Sequence, residues 1–75
     1  MPSETAAQKA LAVIRASGHV IVDADLPVAG LLQLATAAAQ WGASLTVRHA
    51  YLSDEDDLAA LAAAGRGHVT FDLAE

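Results

Sequence analysis

The sequence predicts a two-layer α/β domain in which a three-stranded parallel sheet, order 1-2-3, carries three helices on one face. Helix-forming and strand-forming stretches alternate three times along its 75 residues, in the order α-β-α-β-α-β. Alternation of this kind means parallel strands joined by helical crossovers, which are nearly always right-handed. Within each strand the apolar and polar residues alternate, so only one face of the sheet is expected to be covered. The strands also superimpose on one another, with Val20-Ile21-Val22-Asp23 matching Leu45-Thr46-Val47-Arg48 and Val69-Thr70-Phe71-Asp72. Their period is about two dozen residues, within the range of stacked repeats.

Each element follows from local chemistry. Ser3 and Thr5 are candidate caps for a first helix, and Thr5 precedes Gln8 at capping-box spacing. Residues 6–16 are rich in Ala and Leu, and Gly18 supplies a stop. The β-branched stretch His19-Val20-Ile21-Val22-Asp23 reads as a strand. Asp25 then offers a cap and Pro27 suits the first turn of a second helix, which runs to about Trp41 and stops at Gly42. Leu45-Thr46-Val47-Arg48-His49 has strand period. Ser53 is the expected cap of a third helix whose first turn is Asp54-Glu55-Asp56-Asp57, with Gly65 or Gly67 ending it. The last strand is His68-Val69-Thr70-Phe71-Asp72.

The strand order follows from the two faces. One face carries Val20, Val22, Leu45, Val47, Val69 and Phe71, all apolar. The other carries His19, Ile21, Asp23, Ser44, Thr46, Arg48, His68, Thr70 and Asp72, polar apart from Ile21. With right-handed crossovers, helices stay on one side only when strands are added in sequence order. The middle helix, with Val28, Leu31, Leu32, Leu34, Ala35, Ala38 and Trp41, is apolar around more than half its circumference. A helix flanked by two others needs that breadth.

Composition narrows the function classes. A chain this short buries only roughly 60% of its unfolded surface and usually needs reinforcement by disulfides, metals or partner subunits. There is no Cys, so disulfides, thiolate metal sites and Cys nucleophiles are excluded. The net charge is −5, and only Lys9, Arg15, Arg48 and Arg66 are cationic, without clustering in sequence. Neither a nucleic acid nor an anionic membrane surface is an expected partner. Met1 to Thr5 has no basic start and no apolar stretch after it, unlike a signal peptide, and no run approaches a membrane span. The expected compartment is the cytoplasm.

The segment Leu45-x-Val47-x-x-Ala50-x-Leu52, followed by Ser53-Asp54-Glu55-Asp56 and an Ala/Leu helix, resembles a leucine-rich repeat of the ribonuclease-inhibitor kind. Val20-x-Val22-x-x-Asp25 is a second, looser unit, and the two cover about two-thirds of the chain. The Asn of such repeats is Ala50 in one unit and Asp25 in the other. The resemblance implies a helix-backed sheet whose open polar face, or whose ends, contact another protein.

Candidate chemistry lies on the polar face, where three rows are expected: His19, Ser44 and His68; Ile21, Thr46 and Thr70; Asp23, Arg48 and Asp72. Ser44 with a neighbouring His as base and Asp23 as orienter has the residue types of a nucleophile site. The sequence offers no nucleophile elbow and no oxyanion-hole glycine loop for it, and a flat solvated sheet does not exclude water. His19 and His68 with Asp23 or Asp72 have metal-ligand chemistry, but strands 1 and 3 stand ~9–10 Å apart, too far for one ion. The third row places Arg48 between two carboxylates within expected salt-bridge reach. Asp54 to Asp57 lacks the spaced carboxylates and Gly of a calcium loop and complements a helix dipole instead. Gly65-Arg66-Gly67 precedes a strand where a phosphate loop needs a helix. Trp41, the only Trp, is a margin-packing residue or an interface anchor.

The sequence therefore predicts no enzyme and no cofactor or metal. It predicts an interaction module that self-associates, as a dimer or as an end-to-end stack through the sheet edges, because unpaired edges are templates for another chain. The alternative is a monomeric regulatory domain binding one protein partner through the open face. The residues expected to carry contacts are Asp23, Thr46, Arg48, Thr70, Asp72, Phe71 and Trp41.

Overall fold

The computed structural model describes residues 2–75, with side chains from residue 7 onward. Helix α1 (Pro2–Arg15) leads to strand β1 (His19–Asp23), α2 (Val28–Trp41), β2 (Ser44–Arg48), a 3₁₀ turn (Ala50–Leu52), α3 (Glu55–Gly65) and β3 (Val69–Phe71). The three strands are parallel and lie in the order β1-β2-β3. Register pairs Val20 with Leu45 and Leu45 with Val69, so the row Ile21, Thr46 and Thr70 forms across all three strands, whereas the rows of Ser44 and Arg48 are paired only between β1 and β2. α2 packs between α1 and α3, giving one helical layer on one sheet face. Among the described residues, no helix is long and apolar enough to cross a membrane.

The core sits between the layers. Leu45 and Val47 of the central strand are fully buried against Ile14, Leu31, Leu34 and Leu61, one or two large residues from each helix. Alanines 10, 35, 37, 38, 43 and 50 fill the remaining space. Their small side chains let the helices approach closely, but each buries little apolar area. Val20, Val69 and Phe71 on the outer strands are only partly buried.

The helix ends depart from sequence expectation in a consistent way. α1 begins at Pro2, ahead of both predicted caps, and the side chains of Ser3 and Thr5 lie outside the described residues. α2 is capped by Pro27 rather than Asp25, and α3 by Asp54 rather than Ser53, neither with a side-chain cap hydrogen bond. Backbone geometry does more at the C-termini. Gly42 (φ 66°) closes α2 in the left-handed conformation, as predicted. At α1 that conformation belongs to Ser17 (φ 61°), and the Gly18 N–H donates to the Val13 carbonyl at 3.0 Å. Gly18 is still required, since a Cβ there would stand 2.7 Å from Val13 Cγ1. α3 ends through Arg66 (φ 49°) and Gly67 (φ 88°). β3 is shorter than its predicted five residues, spanning only Val69–Phe71.

Candidate interaction surface

The uncovered sheet face is built as the alternation requires. Ile21, 65% exposed, is an apolar side chain amid polar ones, with Thr46 and Thr70 beside it in register. Arg48 and Thr70 are exposed, and Thr46 and Ser44 are half-buried. Asp23 lies opposite Arg48 in register, but its short contact is elsewhere. The Nδ1–H of His49 donates to Asp23 Oδ2 at 2.8 Å, the one short contact between a basic and an acidic side chain among the described residues. The expected Asp23–Arg48–Asp72 ion row is therefore replaced by an Asp23–His49 corner. Asp72 is engaged with its own turn, where Oδ1 accepts the Ala74 N–H at 3.0 Å.

The reason is backbone conformation. Sequence alternation extends β2 through His49, but β2 ends at Arg48 and His49 takes the left-handed region (φ 59°). That turn swings the imidazole back over the end of β1, between Asp23 and the edge of Tyr51, whose ring centroid is 6.3 Å away. Asp23 also accepts the Asp25 N–H at 3.3 Å, an Asx-type turn that leads the chain toward α2. The hydrogen bond from His49 holds the Asp23 carboxyl below its ordinary value; burial opposes this, and the Asp25 N–H and the charges of His49 and Arg48 reinforce it. Sequence reading missed His49 as a polar-site residue. The signal available was its type alone: a His after a strand, 26 residues from an Asp at the end of the neighbouring strand.

The other histidines are placed differently. His68 Nδ1 donates to the Ala43 carbonyl at 2.9 Å, tying the start of β3 to the entry of β2. His19 is exposed at the start of β1. Asp23 is thus committed to His49, and the geometry assembles no Ser44–His–Asp23 relay. Among the described residues no group of three His, Asp or Glu side chains is placed to hold an ion.

The remaining predicted contact residues lie at the margins. Phe71 is half-buried on the covered face of β3, an edge strand. Trp41, 46% exposed, closes the C-terminal end of a shallow groove between α1 and α2, shared with Leu11, Arg15 and Leu32. Its carbonyl accepts the Ser17 hydroxyl at 2.7 Å, which ties the ends of α1 and α2 together. Of the apolar positions in the repeat-like stretch, Leu45, Val47 and Ala50 are buried, whereas Leu52 is 70% exposed.

The surface as a whole is open-sided. Neither β1 nor β3 has a second neighbour among the described residues, and each keeps one unpaired edge. No family model matches the chain, and no curated protein or solved structure matches it.

Proposed function

We propose that this domain is a non-enzymatic interaction module of the cytoplasm that associates with further copies of itself through its sheet edges. The observation that carries this reading is the state of the outer strands. β1 and β3 each have one free edge, and Val20, Val69 and Phe71 on them are only partly buried. A second copy at an edge would satisfy backbone groups and finish burying those side chains at once. Neither blunting device of monomeric edges, a proline or an inward-pointing charge, occurs within Val69–Phe71. The likeness of residues 45–56 to a repeat unit that works by stacking is in keeping with this.

A second reading has its own observation. Ile21 is exposed at the β1 end of a row continued by Thr46 and Thr70, and Arg48 on the same face makes no ion pair among the described residues. Such a face suits one heterologous protein, and Arg48→Glu with Thr46→Glu is expected to abolish its binding without unfolding the domain.

Light scattering across a concentration series separates the two. Molar mass that rises with concentration, or a fixed oligomer, is the expected result. A single-chain mass at every concentration overturns self-association and leaves the open-face reading in place.

A further inference from the structure

The two ends of the domain are different surfaces, and their differences are complementary. Building on the self-association reading, we infer that the second copy docks head to tail, the β1–α1 end of one molecule against the β3–α3 end of the next.

The first argument is backbone pairing. Gly18 O accepts the Ser44 N–H, and the Ala24 N–H donates to Arg48 O, so the even-numbered residues of β1 face β2. In a parallel ladder this leaves the N–H and C=O of His19 and Ile21 on the free edge. Likewise Leu45 bonds His68 O and the Asp72 N–H bonds Val47 O, which leaves Val69 and Phe71 outward on β3. A following β1 laid parallel to β3 repeats the step that already relates β1 to β2 and β2 to β3, with every helix on the same side.

The helix flanks supply the second argument. In α1, Ala10 and Ile14 face the core, and Leu11 and Arg15 line the groove toward α2. Helical spacing then puts Lys9 and Val13, both exposed, on the flank away from α2. In α3, Leu61 and Gly65 face the core, and Ala63 and Ala64 line the groove toward α2. Its outer flank is therefore Glu55, Leu58 and Ala62. Counted from the helix C-termini, Val13 stands level with the turn of Ala62, and Lys9 lies one turn below Glu55. Both side chains lean toward their helix N-termini, and the long arm of Lys9 spans the one-turn offset to bring its ammonium toward the Glu55 carboxylate of the adjoining copy. Head-to-tail docking thus sets an apolar strip and an opposite charge pair against each other. Pairing like ends runs the two helices antiparallel: it sets α1 with its Lys9 against a second α1, or Glu55 against the Gly65 end of a second α3, and in neither case does Lys9 meet Glu55.

Complementation tests this. Ile21→Pro removes an outward N–H and an exposed side chain, and Glu55→Lys with Ala62→Lys alters only exposed positions at the other end; Val69→Pro blocks that end a second way. Circular dichroism matching the parent shows that each variant is folded. Each variant alone is expected to be monomeric where the parent associates, and an equimolar mixture is expected to form a 1:1 dimer. If either folded variant still self-associates fully, or the mixture stays monomeric while the parent associates, head-to-tail docking is wrong and self-association stands. If the parent itself never associates, both fail together.

Discussion

At the residue scale, the Asp23–His49 corner has the clearest energetic signature. The folded-state pKa of Asp23 lies below its ordinary value near 3.8, chiefly through the hydrogen bond from His49. A depressed carboxyl contributes stability that is present above the unfolded value, about pH 4, and lost as pH falls through the folded one. The parent is therefore expected to lose melting temperature more steeply than Asp23→Asn as pH falls below about 4. Parallel curves for the two would show that the corner carries no such linkage. His49→Ala should flatten the same limb, and the double variant should behave like either single one, since both remove one interaction. None of this was legible in the sequence. The strand period of Leu45 to His49 assigns His49 to the same face as Leu45 and Val47, and only the left-handed turn at that residue brings it over Asp23.

At the scale of elements, packing separates glycines that the sequence makes look alike. A Cβ at Gly65 would land on the Val69 side chain, because α3 runs close over the strand that follows it. Gly65→Ala is expected to cost about 1–3 kcal/mol, the usual penalty for overpacking. Gly30, inside α2, has nothing within 4 Å of that position and no left-handed backbone. Gly30→Ala should stabilise by about 0.5–1 kcal/mol through helix propensity. Urea titration of both variants checks the opposite signs. The strands and helices themselves were readable because Val20/Val22, Leu45/Val47 and Val69/Phe71 alternate with polar residues, and burial enforces that alternation. Helix starts were not, since Asp25 and Ser53 are good caps by type, but the chain enters α2 at Pro27 and α3 at Asp54. β3 was read one residue too long at each end: His68 and Asp72 still bond to the neighbouring chain, but the regular ladder spans only Val69–Phe71.

At the scale of the whole molecule, stability and assembly are one question. A domain of 75 residues has about 4–11 kcal/mol of stability at ordinary per-residue values. Leu45 is fully buried in the central strand, and Leu45→Ala should cost about 2–5 kcal/mol, a large share of that total. If copies associate through the sheet edges, the melting temperature should rise with protein concentration, and more visibly for Leu45→Ala than for the parent. A melting temperature independent of concentration would count against association of the native state. The strand order was legible because alternating strands expose one face, and right-handed crossovers then permit only sequential addition. How far Phe71 and Ile21 are covered was not, since alternation assigns a residue to a face and not a degree of burial.

One helix accompanies each strand, and the two layers do not share a spacing. Neighbouring strands stand about 4.8 Å apart, whereas packed helices need about 8–10 Å. The alanines at the α2 contacts bring the helices toward the lower figure without closing the gap. Any array grown by the step that relates β1 to β2 is therefore wider along its helices than along its strands. It must bend, with Ile21, Thr46 and Thr70 on the inside of the arc, and curvature limits the number of copies that fit before the ends meet or miss.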